Sequence, residues 1–406
     1  MRVLDTLRSV VRFRPPELDP VTRRLRRAAD VSDLRRLSRR RLPRGVFDYI
    51  DGGAEDELSM GRNVEAFRRL EFAPRVLAGV AEVDPSTTLL GHRLPLPLVL
   101  GPTGFTRIVT PGGELDVARA AARAGVPYTL STLSTRSIQE VATVSSGPKW
   151  FQVYAWRDRG LIKDMLARAA QHGYEAIVLT VDTAVLGRRE RDVRRGFTLP
   201  PQIGPATIID GVLHPEWTWA FLRAEPITFA NVTGSGAPDG RQAASLSDYV
   251  NSQFDPALSW SDLEWFRDAW DGPIVLKGIQ TVADARIAAD CGVEAIALSN
   301  HGGRQLDGAP PSLELVAPVA EALGQATELI CDGGVRRGAD IVKAVALGAR
   351  ACMVGRPYLY GLGAGGERGV DHVMSMFEEG VRRTMALTGC RTVDELGPGL
   401  VRWRSR

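Results

Sequence analysis

Eight short runs of apolar and β-branched residues recur from residue 98 onward: Leu98–Gly101, Pro127–Ser131, Trp150–Tyr154, Ala176–Val181, Pro273–Lys277, Ala295–Ser299, Glu328–Asp332 and Ala351–Gly355. Amphipathic stretches with helical spacing follow them, as in Gly113–Gly125, Gly160–His172, Ala283–Cys291 and Gly338–Gly348. A strand with one wet face alternates apolar with polar residues. These runs are apolar throughout, so both faces are buried, as in a parallel sheet covered by helices. Eight βα units in succession predict an α/β fold, a closed (β/α)8 TIM barrel, and 406 residues suit one elaborated barrel better than three domains.

Two regions break the period. The segment before residue 98 holds a helical stretch, Val31–Arg41, and is read as an N-terminal helical extension: residues 1–30 a basic arm, residues 31–406 the barrel. Residues 183–257, after the fourth strand, are far longer than an ordinary βα loop and are read as a functional insertion. A capping box, Ser261 with Glu264, is expected to open the helix that follows.

Charge separates the parts. Residues 1–44 carry 14 arginines against five acids, a net +9, whereas the remainder is net −6. No aromatic interleaving accompanies the arginines, which argues against nucleic-acid binding. Attraction to anionic lipid is one use for such an arm and a solvated tail the other. Cys291, Cys331, Cys352 and Cys390 show no CxxC spacing and are read as buried free thiols in a reducing cytosol. No apolar run is long enough for a spanning helix, and no secretory leader pattern is present, so a cytoplasmic protein is expected.

Barrel active sites lie at the C-terminal ends of the strands. Reading those ends collects Thr103, Gly104, Ser131, Gln152, Tyr154, Thr180, Asp182, Lys277, Ser299, His301, Arg304, Asp332, Gly355 and Arg356. The segment Asp332-Gly-Gly-Val-Arg-Arg-Gly338 and the pair Gly355-Arg356 fall on the last two loops, where glycines, arginines and a helix start suit a phosphate. Ser299-Asn-His-Gly-Gly-Arg-Gln-Leu-Asp307 sets an acid/base histidine beside an arginine able to clamp a carboxylate. Lys277, one of only four lysines, needs a negative partner if buried.

These residues resemble the FMN-dependent (S)-2-hydroxy acid dehydrogenases and oxidases. FDYIDGGAEDE, LTVDTAVLGRRERD, SNHGGRQLDG and DGGVRRG occur in that family's order from about residue 30 onward. HPEWTWAF (His214–Phe221) is similar to the quinone-linked L-lactate branch. The resemblance implies FMN as cofactor, His301 as catalytic base and Asp182 as the carboxylate that supports its imidazolium. Arg189 and Arg304 would hold the substrate carboxylate, with Tyr49 and Tyr154 touching substrate. Thr103, Gly104, Ser131, Gln152, Thr180 and Ser299 would surround the flavin ring, with Lys277 at its N1/O2 edge. Asp332, Gly334, Arg336, Gly355 and Arg356 would hold its phosphate.

The implied reaction is oxidation of an L-2-hydroxy acid, L-lactate to pyruvate, with a quinone or other non-oxygen acceptor. A peroxide-forming oxidase and an FMN-dependent barrel isomerase are the alternatives. Paired arginines around a histidine do not suit the isomerase's diphosphate substrate. Gly104 stands where oxidases of the family commonly carry Ala, and Leu133 where glycolate oxidase carries Trp. Relatives imply a homotetramer. The insertion's Trp217, Trp219, Phe221, Leu222 and Phe229 are open to two readings, peripheral contact with the inner face of the cell membrane or packing over the barrel mouth.

Overall fold

The structure, a computed structural model, describes residues 16–195, 204–232, 252–324 and 326–404. Half of the basic arm and two stretches of the insertion lie outside the described residues. The eight apolar runs form eight strands: β1 Leu98–Leu100, β2 Tyr128–Ser131, β3 Lys149–Tyr154, β4 Ala176–Thr180, β5 Ile274–Ile279, β6 Ala295–Leu298, β7 Glu328–Asp332 and β8 Ala351–Val354. Every neighbour pairs in parallel and β8 returns to β1, closing the barrel. The chain is a (β/α)8 TIM barrel with an N-terminal helical extension and a long insertion after β4.

Strand side chains alternate, and closure turns alternate into inside and outside. Val99, Trp150, Val178, Val275, Ala297, Ile330 and Met353 fill the lumen in one apolar cluster, joined from below by Leu89 and Leu94 of a hairpin, Thr87–Leu89 with His92–Leu94. Their neighbours Leu100, Phe151, Leu179, Leu276, Leu298, Cys331 and Val354 face outward into the larger cluster beneath the helices. The same two-residue step carries the inward series one layer up, to Gln152, Thr180, Lys277, Ser299 and Asp332.

Four helices precede the barrel: α1 Pro20–Leu25, α2 Val31–Arg41, α3 Arg44–Asp51 and α4 Leu58–Arg69. Asp30 caps α2 by accepting from the Asp33 N–H, and Val31, Leu34 and Ser38 form its buried stripe. Helices α5 Glu114–Ala124, α6 Ile138–Val144 and α7 Arg159–Gln171 follow β1, β2 and β3. The described insertion holds α8 Glu190–Arg195, α9 Pro205–Leu213 and α10 Pro215–Arg223, and α11 Asp262–Ala269 leads into β5. The ring is completed by α12 Val282–Asp290, α13 Ser312–Leu323, α14 Gly338–Ala346, α15 Arg356–Gly365 and α16 Glu367–Thr388.

Two expectations are corrected. Ser261 precedes α11 in helical conformation and makes no side-chain cap; Asp262 instead accepts from the Ser259 N–H and hydroxyl, so the turn closes one step earlier. Cys331, Cys352 and Cys390 are buried free thiols, but Cys291 is exposed, because it ends α12 on the outer surface.

Asp51, at the end of α3, locks the extension onto the barrel. Its buried carboxylate accepts from Arg35 of α2 at 2.5 and 2.7 Å, from Tyr360 of α15 at 2.7 Å and from Arg191 of α8 at 2.9 Å. Burial opposes its ionisation, yet these donors hold its pKa at about 2, against an ordinary 3.8. A depressed carboxylate adds stability that is complete above the unfolded value and is lost as pH falls through the folded one, a contribution of about 2 kcal/mol. Asp51→Asn is therefore expected to lower unfolding free energy by at least about that amount at pH 7. In urea titrations its deficit against the parent should shrink between about pH 4 and pH 2; an unchanged deficit across that range contradicts the assignment.

Candidate active site

The strand ends enclose a cavity of ≈ 580 Å³ lined by residues from the extension, the insertion and the loops after β1, β2, β6, β7 and β8. Strand register sets its polar layer: Ser131 is paired with Gln152, Tyr154 with Thr180, and Thr180 with Lys277. The Gln152 amide accepts from the Ser131 hydroxyl and donates to Thr180 Oγ1, both at 3.0 Å, making one fixed hydrogen-bonded band. Thr103 lies across the cavity, its hydroxyl 2.8 Å from the Tyr358 hydroxyl, which donates to Gly101 O. Gly104 stands beside it, where a Cβ would come within 3.1 Å of Leu133 Cβ.

Lys277 is almost fully buried between two acids. Its Nζ donates to Ser299 Oγ and pairs with Asp332 Oδ2, each at 3.0 Å, and the Ser299 hydroxyl donates to the same carboxylate oxygen at 2.7 Å. Burial works against the ammonium, but Asp332 and Asp182 more than offset it and its pKa is raised. Ser299 thus lies beneath Lys277, fully buried, and does not line the cavity.

His301 follows directly. Its backbone N–H donates to Ser299 Oγ at 3.0 Å, and its φ of +56° is left-handed, an uncommon conformation for a residue with a side chain. That geometry brings Nδ1 to 2.9 Å from Asp182 Oδ1 and leaves Nε2 for the cavity. The Asp182 side chain is 2% exposed and its second oxygen has no partner among the described residues. Burial raises such an acid, but the His301 ring and Lys277 hold it below the ordinary carboxylate value.

Arg189 and Arg304 converge on the ring of Tyr49, with guanidinium carbons 5.8 and 5.4 Å from its centroid. Arg304 Nη1 donates to the carbonyls of Tyr49 and Gly52, while Arg189 pairs with Asp192 at 3.2 Å. Burial, then the like charges of Arg189 and Arg356, bring Arg304 down to about 9. It remains charged at neutral pH, so two mutually repelling cations stand in one cavity, a field that an anion relieves. Tyr154 lines the adjoining wall, its ring edge-on to Phe254 at 5.1 Å.

At the far end, Gly334, Arg336, Gly355 and Arg356 line the cavity together with Asp332. Gly355 precedes α15 and leaves that helix start without a side-chain cap. Arg336 does not point its backbone inward: its N–H and that of Arg337 donate to Asp340, which takes up the first turn of α14. Arg356 spends three donors on protein, on Asp51 O, Gly52 O and Gly302 O at 3.1, 2.7 and 2.7 Å. Glycine is required in this region because α4 presses on it. A Cβ on Gly303 would meet Met60 N at 2.5 Å, and one on Gly334 would meet Asn63 O at 2.2 Å.

The sequence reading missed several contributors. Asn63 of α4 and Asn300 exchange reciprocal amide hydrogen bonds at 2.7 and 2.9 Å, holding the histidine loop under the extension. Asp192 answers Arg189, and burial raises its pKa. Phe105, Phe229 and Phe254 supply the apolar wall. RRERD carried a signal for Asp192, an acid set among arginines, whereas the partners of Asn63 and of the phenylalanines are distant in sequence. The insertion aromatics part company: Phe229 packs on Phe105 at 5.9 Å in the cavity wall, Trp217 stacks on Phe221 and donates to Ile108 O, and Trp219 and Leu222 face solvent.

A polar band, a buried cation and a cationic far end fit a planar heterocycle bearing a phosphate, and the volume suits such a group plus a small acid. A barrel with this cavity belongs to the class of flavin-dependent oxidoreductases. The model of the FMN-dependent dehydrogenase family matches residues 38–403, and the chain belongs to that family, whose members use FMN to oxidise the CH–OH group of 2-hydroxy acids. A Mycobacterium tuberculosis chain is 46% identical over 98% of this chain and 94% of its own length. The L-lactate dehydrogenase of Caulobacter vibrioides is 44% identical over 90% and 95%. Among solved structures, the monotopic membrane protein (S)-mandelate dehydrogenase superposes with TM-score 0.89 at 38% identity, covering 93% of this chain and 100% of the other.

The three carbonyls held by Arg356 give a test. Arg356→Lys cannot reproduce a planar fork and is expected to cost about 3 kcal/mol, because hydrogen bonds to charged groups are lost. Purified variant should retain less flavin per chain by absorbance and melt earlier; full flavin content with an unchanged melting temperature shows those contacts to be dispensable.

Proposed function

We propose that this FMN-dependent 2-hydroxy acid dehydrogenase oxidises L-lactate to pyruvate and delivers the electrons to a quinone. The observation that carries the reading is the His301–Asp182 pair sharing one cavity with the Arg189–Arg304 pair. FMN, when bound, supplies the two-electron acceptor for the α-carbon. Ser131, Gln152 and Thr180 would hold its ring, Lys277 would balance negative charge there, and Gly334, Arg336, Gly355 and Arg356 would hold its phosphate.

Arg189 and Arg304 bind the substrate carboxylate, replacing cation repulsion with charge-assisted hydrogen bonds. Tyr49, between them, and Tyr154 orient the 2-hydroxyl. His301 Nε2 takes a proton from the substrate as oxidation proceeds, and Asp182 stabilises the resulting imidazolium and fixes the ring's orientation. Phe105, Phe229, Phe254 and Leu133 exclude water and receive the substrate's side chain. Support for lactate comes from the relatives' names, and for a non-oxygen acceptor from the bare Cα of Gly104.

His301→Gln is expected to retain flavin and to slow anaerobic bleaching by L-lactate by 10²-fold or more; bleaching at the parent rate removes His301 from the base role. Glycolate, mandelate and longer 2-hydroxy acids tested alongside lactate rank the substrates. Turnover in air that is unaffected by a quinone analogue and matched by peroxide formation replaces the dehydrogenase with the oxidase.

The proposal extends to a bilayer. No helix among the described residues is long and apolar enough to cross a membrane. The α9–α10 hairpin nevertheless leaves Ile208, Ile209, Val212, Leu213, Trp219 and Leu222 at 57–71% exposure, a patch suited to monotopic insertion. Ile208→Ser/Val212→Ser/Leu222→Ser is expected to lose vesicle binding while keeping lactate-dependent dye reduction. If the parent ignores vesicles and light scattering shows the triple variant breaking a homotetramer, the patch is a subunit contact instead.

A further inference from the structure

A second cavity lies outside the active site. Arg23, Arg24 and Arg27, in α1 and the turn after it, face Arg36, Arg40 and Arg41 of α2 across a groove of ≈ 390 Å³, with Asp33 and Leu37 also lining it. Glu216 of α10 bridges Arg24 and Arg41 at 3.3 and 2.7 Å. Six guanidiniums against these two carboxylates leave an excess of four positive charges. Burial, opposed by Glu216 and reinforced by the nearby Arg24, depresses the pKa of Arg41. The guanidinium groups of Arg23, Arg27 and Arg40 are exposed and form no ion pair among the described residues. Residues 1–15 do not compensate in charge, since they carry four arginines against Asp5.

The groove's position decides what it suits. The Glu216 bridge joins its rim to α10, and the Arg44 N–H donates to Asp210 of α9 at 2.6 Å, so α1 and α2 abut the hairpin that carries the exposed apolar patch. Nucleic acid or an acidic protein would satisfy the arginines and leave the neighbouring Ile, Val, Leu and Trp side chains in water. A bilayer satisfies both, because its phosphates stand at the depth where its acyl chains begin.

We infer that this arginine groove binds the phosphate of an anionic lipid headgroup. The inference rests on the membrane reading of the hairpin and adds a lipid preference to it. The hairpin supplies apolar, headgroup-independent partitioning, whereas the groove supplies selection for anionic lipid and ties the extension to the surface on which the hairpin rests. With each basic side chain near a charged surface contributing roughly fivefold, three exposed arginines amount to a preference on the order of a hundredfold.

The test uses full-length, FMN-loaded protein and sedimentation with vesicles of phosphatidylcholine alone or mixed with phosphatidylglycerol. Arg23→Gln/Arg27→Gln/Arg40→Gln changes only exposed side chains, and its melting temperature and lactate-dependent dye reduction check that the fold is intact. The parent is expected to favour the mixed vesicles by about a hundredfold at low salt. The triple variant should lose most of that preference and bind phosphatidylcholine as the parent does. Equal affinity of variant and parent for mixed vesicles overturns the groove. If the parent binds both vesicles equally and the hairpin variant binds neither, the groove falls and the membrane reading stands; if the parent binds neither, both fall. Displacement from mixed vesicles by millimolar inorganic phosphate, with no matching effect of equal ionic strength, assigns the groove to free phosphate and overturns the lipid inference.

Discussion

Closure of eight parallel strands is the constraint on which the rest of the molecule depends. A two-residue side-chain step that would merely alternate two faces in an open sheet becomes a division between lumen and exterior once the sheet closes. Val99, Trp150, Val178, Val275, Ala297, Ile330 and Met353 pack the lumen, so its upper end is the one place where inward side chains reach open space. Gln152, Thr180, Lys277, Ser299 and Asp332 occupy that end by parity, and their mutual hydrogen bonds follow from strand register.

The cavity is electrostatically unfinished without its ligands. Lys277 has two acids to answer it, but Arg304 is held down to about 9 by burial and by two other arginines. The protein tolerates this because Arg304 and Arg356 are anchored by backbone carbonyls at 2.7 to 3.1 Å, which fix the cations without neutralising them. An anion bound there gains what the folded chain alone has not satisfied. Asp51 performs the complementary task one layer out, converting three donors from three helices into a single clamp across the extension, the insertion and the last barrel helices.

The insertion serves two sides of the same mouth. Phe229 faces in and builds the apolar wall, Trp217 fastens the segment to the loop after β1, and the exposed face of α9 and α10 looks away. A cluster of neighbours in sequence is thereby divided among three environments, because α10 turns about 100° per residue and sets Trp217 and Trp219 on different faces, while Phe229 lies in the loop beyond the helix.

Sequence by itself determined the strands, their number and the inward polar layer, since apolar runs and a two-residue period are local properties. It also brought His301, Asp182, Arg189, Arg304 and Lys277 forward through motif and resemblance. The tertiary structure decided what depends on distance across the fold: that Ser299 supports Lys277 from beneath, that Arg356 is bound to carbonyls of Asp51, Gly52 and Gly302, and that Asn63 pairs with Asn300 237 residues away. It likewise placed the arginines of α1 and α2 beside an apolar hairpin. Hydrogen bonds and charge pairs act over a few ångströms, and only the closed barrel brings such residues within that range.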